Sequence, residues 1–185
     1  MSNYLDPDRD HATQGPAFDL PARLEDGSEI MQASGLVLHR YGLLLCGPSG
    51  SGKSMLQRRL RQEARARGMF AALISDDYVR LSRPGPDGKE EAVPPLLAFS
   101  PVPTHRLQEV RGIGVLKLEP EHVLSRAVIH LLVDMVAPEE IERMPRKMAR
   151  SKPCLGHEVA HLAVPQRSVD VACDMVFALL STWKH

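Results

Sequence analysis

The run Gly47, Pro48, Ser49, Gly50, Ser51, Gly52, Lys53, Ser54 has the spacing of a phosphate cradle, and each residue type in it has a physical use there. Glycines let successive backbone N–H groups turn toward an anion, and a helix beginning at the end of the run adds its partial positive charge. Lys53 can reach the outer phosphates of a nucleotide, and the Ser54 hydroxyl can ligate Mg2+. An ordinary glycine-rich turn between a strand and a helix needs neither the further glycines nor the adjacent Lys-Ser pair. Phosphate binding is therefore the strongest reading of these residues, and a kinase, a hydrolase or a switch would each use them.

Two other groups of residues could carry chemistry. Asp76 and Asp77 follow a short apolar segment, and carboxylates just past the C-terminal end of a strand lie where ligands gather in open α/β sheets. One of them can hold Mg2+, directly or through water, while the other takes a proton from an attacking hydroxyl. Alone, such a pair is more often a turn or a cap; beside the cradle it reads as catalytic. His157-Glu158-Val159-Ala160-His161 spells H-E-x-x-H, which on a helix would offer two imidazoles to zinc with Glu158 as general base. Gly156 and Pro165 leave little room for a long helix, and the alternation of residues fits a strand equally well, so catalytic zinc is not expected.

The elements that must position these groups follow from the apolar pattern. Leu36–Leu38 and Leu43–Cys46 read as two strands joined tightly, the second buried throughout because every residue is apolar. Residues 53–67 contain no Gly or Pro and precede Gly68, which predicts a helix with a glycine C-cap. Its narrow stripe of Met55, Leu56, Leu60 and Ala64 predicts that Arg58, Arg59, Arg61, Arg65 and Arg67 face water. Strands are expected over 70–75, 78–81, 113–118 and 127–133, a loop over 83–95, and a basic, proline-broken segment over 144–153. A final helix over 168–183 is expected to bury Val171, Ala172, Met175, Val176, Leu179, Leu180 and Trp183, with Ser168 as its N-cap.

Composition narrows the class. At 185 residues the chain is one domain with a modest remainder, read as a flexible arm over 1–25 and a catalytic domain over 26–185. Apolar residues at 43% and charged residues at 25% are ordinary globular usage. Lys+Arg and Asp+Glu are 23 each, so no long-range field favours nucleic acid. Neither a membrane-length apolar run nor a signal-peptide core is present, which points to a cytoplasmic protein. The three cysteines, Cys46, Cys154 and Cys173, are too few and too scattered for a disulfide framework or a zinc site and read as reduced, mostly buried thiols.

Gln108-Glu109-Val110-Arg111-Gly112-Ile113-Gly114-Val115, following the cradle and the Asp-Asp pair in that order, resembles the E-[IV]-R-G-[IL]-G-[IV] segment of bacterial HPr kinase/phosphorylase, in its short single-domain form. The resemblance runs from about Ile30 to Val133 and more weakly to Leu180. It implies an α/β P-loop fold shared with phosphoenolpyruvate carboxykinase, and a homo-oligomer, commonly a hexamer. It implies ATP- and Mg2+-dependent phosphorylation of a serine on the small phosphocarrier protein HPr or its nitrogen-branch relative. By motif, Lys53 would contact phosphate, Ser54 and Glu109 would serve Mg2+, Asp77 would be the acid/base with Asp76 assisting, and Arg143 in Glu142-Arg143-Met144-Pro145 would lie near the transferred group.

The chain departs from that pattern in ways that bear on function. Gln32, in Gln32-Ala33-Ser34, stands where the family has a histidine, and Met55 stands where an acidic residue usually follows the cradle serine. The basic late loop of bifunctional members is not recognisable. The reverse reaction, phosphorolysis of phosphoserine, is accordingly expected to be weak. A nucleotide-sensing interaction protein without turnover and a small-molecule kinase are the alternatives.

Overall fold

The structure is a computed structural model that describes residues 22–24, 27–83, 95–145 and 150–183. Most of the expected arm, residues 84–94 of the expected loop and residues 146–149 of the basic segment lie outside the described residues. Ala22–Arg23 (β1) pairs antiparallel with Glu29–Gln32 (β2).

Strand β3 (Ser34–Leu38) and strand β4 (Tyr41–Cys46) form an antiparallel hairpin in which Leu38 faces Tyr41, with His39 at φ 55° in the two-residue turn. Helix α1 (Lys53–Ala66) leaves the end of β4 and returns to β5 (Ala71–Ser75), which adds antiparallel to β3. Strands β6 (Tyr78–Ser82) and β7 (Leu97–Phe99) continue from β2. The long strand β10 (Arg126–Val136) joins the two halves. One edge of β10 runs parallel to β4, with Leu132 opposite Leu44 and Asp134 opposite Cys46. Its other edge pairs with β7 over Arg126–Val128 and then, in parallel, with β12 (His157–Pro165) from Leu131 onward. Strand β11 (Ser151–Cys154) forms a hairpin with β12, and helix α2 (Val169–Ser181) follows.

Side chains alternate faces along a strand, and both faces of this sheet are covered. Leu43, Leu45, Leu131 and Val133 pack under α1 and α2, while Leu44 and Leu132 point the other way, onto Val79, Leu81, Ala98 and Val159. Burial on both sides is why β4 and β10 read as continuous apolar runs rather than alternating ones. Gly42 is required by contact: a Cβ there would sit 2.0 Å from the Val128 carbonyl oxygen.

The structure refines several sequence expectations. Helix α1 ends as predicted, with Gly68 at φ 69° and its N–H donating to the Arg65 carbonyl. Its arginines, however, do not all face water: Arg61 is 4% exposed, because positions 57 and 61 extend the apolar stripe of Leu56 and Leu60 toward Asp76 and Gln108. In α2 the inward residues are Ala172, Cys173, Val176, Phe177 and Leu180, whereas Val171 is exposed and Ser168 makes no side-chain cap bond. The expected strand over 113–118 is β9 (Gly114–Lys117), which pairs with β8 (Leu107–Val110) as a separate two-stranded sheet. Residues 151–153 of the basic segment form most of strand β11.

Candidate active site

The cradle sits between the C-terminal end of β4 and the first turn of α1. Gly47 at φ 145° lies against β10, where a Cβ would come within 3.0 Å of both the Met135 Cβ and its carbonyl oxygen. Gly52, at φ 104°, is the residue from which the helix starts. The Arg167 N–H, just after β12, donates to the Ser51 carbonyl at 2.8 Å and braces the loop from outside. Helix α1 has no side-chain cap bond and no acidic residue in its first turn, so its leading N–H groups and its positive dipole end are directed at the loop. The Met55 found in place of an acidic residue keeps that end of the helix free of negative charge.

Lys53 is 8% exposed and folds back, its Nζ donating to the Gly47 carbonyl at 2.8 Å and the Pro48 carbonyl at 3.0 Å. Burial pushes its pKa down, and Asp77, Cys46 and Asp76 oppose that shift. The lysine is thus a partly desolvated cation held at the mouth of an anion cradle.

The two aspartates have different surroundings. Asp76 is tied on all sides: its Oδ1 accepts from Gln57 Nε2 at 3.0 Å, its Oδ2 from the Glu109 N–H at 3.0 Å, and its carbonyl from the Ser34 hydroxyl. Asp77 is exposed, and the bond that reaches its carboxylate is a long one, from Gln32 Nε2 at 3.5 Å. Both line a cleft of about 540 Å³ together with Lys53, Ser54 and Glu109. Arg58 and Arg111 line the same cleft. The Arg58 signal was present in its spacing, since it stands four residues after Ser54 and so on the same helix face. Arg143 is not among the cleft residues and lies in the exposed run 142–145.

The H-E-x-x-H residues fall in strand β12, where positions four apart share a face but are separated by about 13 Å. That excludes a common metal. His161 Nε2 is 3.0 Å from Asp134 Oδ2, which also accepts from Lys152 Nζ at 2.6 Å. Asp134 lies beside Cys46 in the parallel register, and burial, Asp134 and Cys154 together push the Cys46 thiol up to about 12, so this half-buried cysteine is not a nucleophile. All three cysteines are free thiols. Among the described residues no three His, Cys, Asp or Glu side chains cluster as a metal site. Elemental analysis of the purified protein should therefore find much less than one zinc per chain, and Glu158→Gln should leave activity at the wild-type level; stoichiometric zinc would contradict the strand geometry.

Comparison with known proteins bears on what this cleft is. The chain is 34% identical over 114 residues to the HPr kinase/phosphorylase of Chromobacterium violaceum, covering 57% of this chain and 31% of that protein. It is 38% identical over 110 residues to the HPr kinase/phosphorylase of Ralstonia pickettii, covering 56% and 30%. The chain is similar in sequence to HPr kinase/phosphorylases. The matched part spans about a third of the length of these relatives. A solved structure of the Hpr(Ser) kinase/phosphatase from Coxiella burnetii superposes with a TM-score of 0.64 at 21% identity, covering 82% of this chain and 88% of that one. The fold is therefore the HPr kinase type of α/β P-loop fold, as the motif order implied. No protein-family model matches the chain. No helix among the described residues is long and apolar enough to cross a membrane.

Proposed function

We propose that the chain is a protein-serine kinase that transfers the γ-phosphoryl group of ATP to a small phosphocarrier protein of the HPr type or its nitrogen-branch relative. The carrying observation is that Asp77, the exposed member of the aspartate pair, shares one cleft with Lys53, Ser54 and Glu109 while Asp76 is committed to structure. The kinship with HPr kinase/phosphorylases supports the choice of acceptor. A homo-oligomer and a cytoplasmic location belong to the same reading.

The donor set fits Mg2+, which takes hard oxygen ligands and keeps several sites for phosphate and water. Ser54 and Glu109 would hold it, and when bound it neutralises charge on the β- and γ-phosphates. The chain's own residues do the rest. Backbone N–H groups of 49–54 hold the phosphates, and Lys53 moves from its loop carbonyls to the outer oxygens. Asp77 accepts the proton of the serine hydroxyl as the new O–P bond forms and the bond to the β-phosphate oxygen breaks, leaving ADP. Arg58 and Arg111 add positive charge along the cleft.

Labelled ATP, Mg2+ and HPr-type proteins, each with a serine-to-alanine control, test the reading directly. Label should enter the wild-type acceptor and not the control; label in neither, with intact nucleotide binding, would make the chain a nucleotide sensor. The reverse reaction should lag. Phosphorolysis brings phosphate dianion beside phosphoserine, and Gln32, next to Asp77, offers a neutral hydrogen bond where a protonated histidine would add charge. Lys152 is already paired with Asp134. Replacing a charged hydrogen bond by a neutral one predicts a reverse rate lower by about tenfold, read as pyrophosphate release from phosphorylated acceptor with saturating phosphate.

A further inference from the structure

Among the described residues the β8–β9 hairpin is a two-stranded sheet with no third strand, an arrangement that is marginal in water unless something else holds it. It nevertheless carries Glu109 and Arg111 into the cleft. We propose that Gln57, Arg61 and Gln108 are positioning residues: with Asp76 they close a ring of hydrogen bonds, anchored at a buried Arg61, that holds the hairpin, and with it Glu109, over the phosphate cradle.

The ring can be traced bond by bond. Arg61 Nε donates to Gln57 Oε1 at 2.9 Å, and Gln57 Nε2 donates to Asp76 Oδ1 at 3.0 Å. Asp76 Oδ2 accepts from the Glu109 N–H at 3.0 Å. The neighbouring side chain closes the loop, because Arg61 Nη2 donates to Gln108 Oε1 at 2.8 Å. Gln57, Arg61 and Gln108 are 0%, 4% and 3% exposed. For stability alone, apolar residues at these positions would serve as well or better, since burying a guanidinium is costly and well-packed hydrophobic replacements are often neutral or stabilising. A cation inserted between a cradle helix and a substrate-side hairpin, through two amides, instead fixes direction and distance. Burial, with Arg65 and Arg58, lowers Arg61 to about 10 against the opposing pull of Asp76, so it remains charged at neutral pH. Gln108 Nε2 is buried without a partner, so a carboxylate at position 108 would forfeit no hydrogen bond, and a charge-assisted bond to Arg61 would offset the cost of burying it.

The role of Glu109 toward Mg2+ rests on the function proposed above, whereas the ring itself does not, and the experiment separates the two. Three variants, Arg61→Met, Gln108→Leu and Gln108→Glu, are compared with wild type by amide hydrogen exchange at Glu109 and by calorimetric ATP affinity with Mg2+ and with chelator. In Arg61→Met and Gln108→Leu, exchange at Glu109 should accelerate by about tenfold or more as buried partners are left unpaired. The tightening that Mg2+ gives to ATP binding should shrink by a similar factor, with the affinity in chelator within about threefold of wild type. Gln108→Glu should restore both readouts to wild-type values, which general loosening of the fold would not do. Unchanged Glu109 exchange in Gln108→Leu, or Gln108→Glu behaving like Gln108→Leu, overturns the proposal. Accelerated exchange with an unchanged Mg2+ effect sustains the ring and overturns the metal role of Glu109. If Arg61→Met does not fold, the two position-108 variants decide, since they alter a hairpin outside the main sheet.

Discussion

Lys53→Ala is expected to lose phosphoryl transfer by about 10²–10³-fold, the usual cost of removing one preorganised donor from developing charge. ATP affinity should fall by about tenfold or more with it, because a charge-assisted bond to phosphate is lost. The same substitution should leave thermal stability almost unchanged. Lys53 lies desolvated against the Gly47 and Pro48 carbonyls, and burial already disfavours its charged form, so its removal relieves one cost while forfeiting two hydrogen bonds. Calorimetry, a melting curve and a transfer assay on one preparation check all three. Wild-type affinity together with wild-type turnover would show that the loop does not hold phosphate.

Asp77→Asn should separate chemistry from binding. The amide keeps the shape of the carboxylate but cannot take the serine proton, and loss of a general base typically lowers turnover by about 10²–10⁴-fold. ATP affinity should change little, since the cradle N–H groups and Lys53 hold the phosphates. Asp76→Asn gives the contrasting result: it leaves one acceptor oxygen where Gln57 and the Glu109 N–H use two, so its effect should appear as a loosened hairpin and a lower melting temperature. Wild-type turnover in Asp77→Asn would move the base elsewhere, with Asp76 the first candidate.

The sequence carries the cradle in full because its chemistry is local: consecutive residues, one turn, one helix start. The same holds for the β3–β4 hairpin and for the boundaries of α1, where apolar pattern and Gly68 suffice. What the sequence does not carry is which of two adjacent carboxylates is engaged. Asp76 is distinguished from Asp77 only by Gln57 and Glu109, partners 19 and 33 residues away. Arg61 misled for a related reason. A charged residue beside an apolar stripe usually faces water, and only the arrival of Gln108 from β8 turns the position inward. Asp134 and His161 stand 27 residues apart and meet only when β10 and β12 are placed in register.

The register between β4 and β10 also sets the order in which the protein can assemble. The β3–β4 hairpin closes over two residues, but the cradle's contact with Met135 requires β10, whose chain lies more than eighty residues downstream of Gly47 in the numbering. Non-local parallel pairing of this kind is slow, because the loop-closure entropy is spent before the contacts form. The local hairpin can therefore exist early while the phosphate site is among the last parts to be completed. A nucleotide then has nothing to grip in the partly folded chain, and it should act on the lifetime of the native state, slowing unfolding and leaving the rate of folding almost untouched.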